Sequence, residues 1–175
     1  DRTLERNAGV GFRSIRSPPS AIRTRMLTPE QAVVTAILLC VAGAVLTLLV
    51  SRHKTVAGWT AFLFTAASAV LILGAVAQVF TSGAGHPTDF SILPQIGLIL
   101  RIYVDGLTAI FLTLAAVIAV PASLYSIAYM KHYKEYGVAR YYPYFLLFLA
   151  AMYGLVSTTD MMWFFFIFWQ MMTLP

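Results

Sequence analysis

Gln170 is the one amide in the closing run MMWFFFIFWQMMTLP, and it is the first place to look for chemistry in this chain. An amide donates and accepts hydrogen bonds but cannot ionise, so it can orient water or bridge helices without carrying a proton. No Asp, Glu, Lys, Arg or His falls in the middle of any apolar stretch. Glu30 and Glu135 lie at helix ends or in loops, Asp105 and Asp160 at helix entrances, and His53, His86 and His132 in loops. An ionisable group within a membrane helix usually marks an ion or proton path, and the histidines offer no pair of axial haem ligands facing each other across a bundle. Cys40 is the only cysteine, which excludes an internal disulfide and a cysteine-rich metal site and leaves it as a small packing residue. There is no Gly-rich phosphate loop and no metal-ligand spacing. The expectation is a chain with no catalytic residue, no metal and no cofactor of its own.

The elements that must position Gln170 are written in long apolar runs. Hydrophobic residues make up 59% of the chain and charged ones 11%, with a mean hydropathy of +0.79. A soluble domain is nearer a quarter charged, so this excess belongs in lipid rather than in a core. Runs from Ala32 to Val50, from Val56 to Phe80 and from Gly106 to Met130 are free of charge. Each meets the roughly 20 residues that a helix needs to cross about 30 Å of hydrocarbon. YYPYFLLFLAAMYGLV, from Tyr141, is shorter, and the run from Met161 is shorter still. The fold expected is all-α: a multi-pass transmembrane bundle of about four complete helices and the start of a fifth, with spans near 30–50, 56–80, 105–130, 141–158 and 161–175. Residues 26–175 form that domain, and residues 1–25 a basic tail outside it. MLTPEQAVV supplies a helix start, with Thr28 as N-cap, Pro29 at the first position and Gln31 completing a capping box. SILPQIGLILRIYV reads as a hairpin outside the membrane. Pro121 should kink the third helix. Ala66, Ala67, Ser68, Ala69, Gly74 and Ala75 on the second helix, and Ala115, Ala116, Ala119 and Ala122 on the third, favour close helix packing. Tyr125, Tyr129, Tyr133, Tyr136, Tyr141, Tyr142 and Tyr144 crowd the third loop as an interfacial belt.

Charge sets orientation. The net charge is +5, yet six of the nine arginines fall in the first 25 residues and the other bases flank helices, which suits membrane topology rather than nucleic acid. Arg52 and Lys54 in the first loop, and Lys131, Lys134 and Arg140 in the third, place both on the cytoplasmic side, with the start of helix one outside. The Arg-rich tail signals the reverse. Translation starting at Met26 removes the conflict; a targeting segment or a real basic arm are the alternatives. A chain without an initiating Met that ends inside an apolar run is expected to be a partial sequence, with a split gene or a stand-alone five-helix protein as alternatives.

Three motifs then stand in order: VDGL at Val104–Leu107, the LYSIAYM ending of helix three, and FWQMMTLP at the terminus. Together they resemble the N-terminal part of the antiporter-like membrane subunits of NADH:quinone oxidoreductase (complex I), Mrp-type sodium/proton antiporters and membrane-bound hydrogenases. The resemblance covers Met26 to Pro175 and implies two inverted helical repeats with a broken helix in each. It also implies that Asp105, Gly106 and Trp169 are family-motif positions. In the family a glutamate follows the Trp of a Phe-Trp-Glu motif and pairs with a lysine two helices later; a buried carboxylate favours the charged lysine, and separating them releases the proton. Here that position is Gln170, so the proton-path site is neutral, and no partner lysine lies in this chain.

The function this implies is part of a proton- or sodium-translocating antiporter-like subunit of a respiratory NADH:quinone oxidoreductase or membrane hydrogenase complex. Its partners would be the other membrane subunits and the lipid bilayer, in a prokaryotic inner membrane. The alternative is a structural or assembly module that contributes packing helices only. A haem- or quinone-binding protein is disfavoured because no histidine lies in a span.

Overall fold

The computed structural model of the protein describes residues 27–93, 98–132 and 141–173. The chain is an all-α membrane bundle, with one short hairpin among the described residues. The helices are α1 (Pro29–Leu49), α2 (Lys54–Ser82), α3 (Gly106–His132), α4 (Tyr142–Ser157) and a short α5 (Gln170–Thr173). A π-helical segment, Trp163–Trp169, leads directly into α5. Strands β1 (Thr88–Leu93) and β2 (Leu98–Ile102) pair antiparallel between α2 and α3, with Thr88 opposite Ile102 and a register shift between Ser91 and Leu93. The tail and Met26, and Tyr133, Lys134, Glu135, Tyr136 and Arg140 of the third loop, lie outside the described residues.

Local chemistry sets the helix ends. Thr28 Oγ1 accepts from the Gln31 amide at 3.3 Å and Gln31 Oε1 accepts from the Thr28 amide at 3.2 Å, the reciprocal box that the sequence spells, with Pro29 at the first position. Gly83 ends α2 at a φ of 89°, a conformation that glycine reaches without penalty. Pro121 lies inside α3.

Among the described residues three helices, α1, α2 and α3, are long and apolar enough to cross a membrane. The fourth, of 16 residues, falls short of the usual span. Large side chains face outward all along them, including Leu38, Leu49, Val70 and Ile118. In water such a surface would aggregate; in a bilayer it meets solvent of its own kind.

Helix α1 lies against α2 and α4, and α2 also against α3. Small residues allow the approach, though not always the ones expected. Ser68, Ala69, Ala75, Ala116 and Ala119 are buried, whereas Ala67, Gly74 and Ala122 face outward and no atom stands within 4 Å of a Cβ built at Gly74. The close approaches fall at other glycines. A Cβ at Gly43 would meet the Phe64 side chain at 2.6 Å, and one at Gly58 would meet Tyr142 Oη at 2.7 Å. Composition shows how many small residues a helix has; only packing shows which ones are crossed.

Tyr142 corrects part of the belt. Tyr125 and Tyr144 are exposed, as an interfacial role requires, but Tyr142 is 1% exposed, with its hydroxyl donating to Ser126 O at 3.4 Å and its ring edge-on to Tyr141. It is a core residue where α4 starts.

Candidate functional site

One end of the bundle gathers the start of α1, the hairpin, the start of α3 and the exit of α4. Backbone bonds join the hairpin and the segment before α3 to the exit of α4 and to the loop after α2. Tyr103 N donates to Ser157 O at 2.9 Å, Thr159 N to Arg101 O at 3.1 Å and Gly85 N to Val104 O at 3.2 Å. The Trp163 indole N–H donates to Ile99 O at 3.0 Å, tying the π segment to β2. On the hairpin, Arg101 donates to both oxygens of Asp89, at 2.6 and 2.9 Å. Those bonds hold the Asp89 carboxyl below its ordinary range. Both side chains are about half exposed, so the pair fixes strand register more than it adds stability.

Asp105 stands at the entrance of α3, where the sequence places it, and the geometry gives it a definite task. Its Oδ1 accepts from the Thr108 backbone N–H at 2.8 Å, the N-cap bond to the third helical residue. Its carbonyl accepts from Ala109 N at 2.9 Å. The Thr108 bonds lower the Asp105 pKa from its ordinary value. Thr108 in turn donates through its hydroxyl to Val156 O at 3.2 Å, which fastens the capped end of α3 to the last turn of α4. Gly106, the first residue of α3, has open space where a Cβ would stand, so no close approach demands a glycine there.

Trp169 and Gln170 sit elsewhere, where the π segment gives way to α5. With Met161, Met162 and Phe166 they line an open hollow of about 630 Å³. Gln170 is exposed, and among the described residues its side-chain amide makes no hydrogen bond. The four motif positions therefore form two groups: Asp105 and Gly106 at the entrance of α3, Trp169 and Gln170 on the outward face of the last helix. An outward amide in lipid is unfavourable unless another helix or water completes it. Among the described residues no group of three or more His, Cys, Asp or Glu is placed to hold a metal ion.

Glu30 has an environment that the sequence does not announce. As an acid in the first turn of a helix it reads as a solvated partner of the helix dipole. In the structure it is 2% exposed, and its Oε1 has no hydrogen-bond partner. The loop after α2 covers it: a Cβ built at Gly85 would collide with the Glu30 carboxylate. No local signal marks this, because the burial comes from a residue 55 positions away.

Comparisons with known proteins take in part of this end of the bundle. A family model described as "NADH-Ubiquinone oxidoreductase (complex I), chain 5 N-terminus" matches residues 93–142, from the hairpin through α3 to the start of α4. That stretch includes Asp105 and Gly106 and stops short of Trp169 and Gln170. The chain is 30% identical over 104 residues to the A1 subunit of the Na(+)/H(+) antiporter of Staphylococcus haemolyticus (strain JCSC1435), covering 58% of this chain and 13% of that protein. It is 32% identical over 82 residues to the A subunit of the Na(+)/H(+) antiporter of Alkalihalophilus pseudofirmus (strain ATCC BAA-2126 / JCM 17055 / OF4), covering 47% of this chain and 10% of that protein. The chain thus matches only a small part of the length of either relative.

Proposed function

We infer the function of this chain from its family: it belongs to the antiporter-like membrane subunits shared by complex I and the Mrp antiporters. In our reading it serves cation translocation, with sodium/proton exchange the activity favoured, because both relatives carry that activity in their names. The single observation that carries the reading is the family match over residues 93–142. Residues 93–142 contain β2, the Asp105 cap and all of α3.

Within that reading Gln170 is the ion-path position of this chain. Its amide offers one carbonyl acceptor and two N–H donors at an outward face, with no partner among the described residues. It can hold a water or meet a hydrogen-bonding side chain of a neighbouring helix. Lacking a charge, it leaves an ionisable neighbour's affinity for protons to be set by that neighbour's own surroundings. Asp105 and Gly106 serve differently, by starting α3 and fastening it to α4. The working protein is one subunit of a larger membrane complex, in our reading in a prokaryotic inner membrane. Redox-driven pumping within a respiratory or hydrogenase complex is the second reading, favoured by the complex I description of the matching family.

The test uses the full-length protein in its complex, in inverted membrane vesicles. Sodium-driven proton movement is followed with a pH-sensitive dye for the wild type, Gln170→Ala and Gln170→Glu. The reading expects a several-fold loss in Gln170→Ala and a displaced pH optimum in Gln170→Glu, since the carboxylate raises a neighbouring lysine's pKa. Identical rates and pH profiles in all three would remove Gln170 from the ion path. Proton movement that needs an electron donor and ignores sodium would favour the second reading.

A further inference from the structure

The π-helical segment decides which way Gln170 points. Trp163 and Phe168 are five residues apart, both are nearly buried, at 9% and 4% exposure, and their rings lie 6.1 Å apart on one face. An α-helix cannot do this, because residues five apart stand roughly 140° from each other around its axis. An i→i+5 ladder stacks them. The two rings are held from opposite sides: the Trp163 indole N–H by Ile99 O of the hairpin, and the Phe168 ring against Gly154 of α4, where a Cβ would collide with it. The consequence reaches Gln170. Seven residues on from Trp163, an uninterrupted α-helix would return Gln170 to within about 20° of Trp163, against the bundle. In the structure Gln170 is instead exposed, and Met171 takes the half-buried place against the core.

We propose that Trp163 and Phe168 are positioning residues: seated on the hairpin and in the Gly154 notch, they hold residues 163–169 in π register and thereby turn the Gln170 amide out of the bundle to meet a neighbour. This rests on the reading of Gln170 as the ion-path position, but it concerns the direction of that side chain and is measured separately from transport. The hairpin becomes part of the device, since the Trp163 bond makes β2 a fixed point for the helix that carries Gln170.

The experiment scans nitroxide labels one at a time over positions 169–173 of the full-length protein in membranes, with Cys40 and every other native cysteine replaced by Ala. In the wild type the most immobilised label is expected at 171. With Phe168→Ala the lock is lost, the segment relaxes to α register, and the most immobilised position moves to 170. Gly154→Ala should give the same shift by unseating the same ring. Deleting Phe165 supplies the opposite control. It leaves Trp163 and Phe168 four apart, one face of an ordinary α-helix, so the label at 171 stays the most immobilised, alone or combined with Phe168→Ala. An unmoved pattern in Phe168→Ala and Gly154→Ala, or a shifted one in the deletion, overturns the proposal. If the label pattern moves as expected while sodium-driven proton movement does not change, the positioning role stands and the assignment of Gln170 to the ion path falls.

Discussion

Replacing Asp105 separates two roles that its place in a motif leaves mixed: a helix cap and a charge in an ion path. The cap is a 2.8 Å bond from the Thr108 backbone N–H to Asp105 Oδ1. Asp105→Ala leaves that N–H without its acceptor and should cost about 1 kcal/mol, within a range of about 0.5–2 kcal/mol for lost caps. Asp105→Asn keeps an acceptor oxygen in place and loses only the charge at the helix N-terminus, about 0.3–1 kcal/mol. The pH dependence follows from the direction of the shift. The folded Asp105 carboxyl lies below the unfolded value of about 3.9, so its contribution is complete above roughly pH 5 and is lost as pH falls through the folded pKa. Wild type and Asp105→Asn should therefore differ in stability at pH 7 and converge below about pH 4. The assay is unfolding of the detergent-solubilised protein by graded denaturing detergent, followed by circular dichroism at both pH values. Transport is measured in parallel on the same variants. If Asp105→Ala unfolds like the wild type, the capping account fails; if Asp105→Asn keeps the stability of the wild type yet abolishes transport, Asp105 also acts as a charge in the ion path.

Two packing predictions follow from contacts that no motif marks. Gly85→Ala pushes a methyl group into the Glu30 carboxylate and should destabilise by about 1–3 kcal/mol, the usual effect of overpacking. Adding Glu30→Ala should restore part of that loss, and a fully additive double variant in the same unfolding assay would refute the contact. Gly58→Ala meets the Tyr142 hydroxyl and should destabilise more than Tyr142→Phe, which gives up only a 3.4 Å bond to Ser126 O. A Tyr142→Phe variant less stable than Gly58→Ala would contradict the packing at that end.

What could be read from the sequence is what depends on neighbours along the chain. Thr28, Pro29 and Gln31 formed the capping box they spelled, because a box needs only residues three apart. Asp105 stands at the entrance of α3, where the sequence put it, and the structure adds its bond from Thr108 N–H. The apolar runs gave the helices, since lipid forces every buried backbone group into helical bonds. The hairpin before α3 was legible from its β-like residues.

What depends on distant residues was not legible. Glu30 was legible only as an acid at a helix end, and its burial under Gly85 was not. Gly74 looked like a packing residue, yet the crossings fell at Gly43, Gly58 and Gly154, because a helix surface does not record where another helix will cross it. The largest case is WFFFIFW. Its residues are compatible with an ordinary helix, and nothing local selects the wider ladder. Register was decided by two contacts made from outside the segment, the hairpin carbonyl that receives Trp163 and the glycine notch that receives Phe168. Sequence alone thus determined that this protein is a membrane bundle and that a neutral amide stands at position 170. Tertiary structure decided which way that amide faces, because direction around a helix axis is fixed by what the helix packs against.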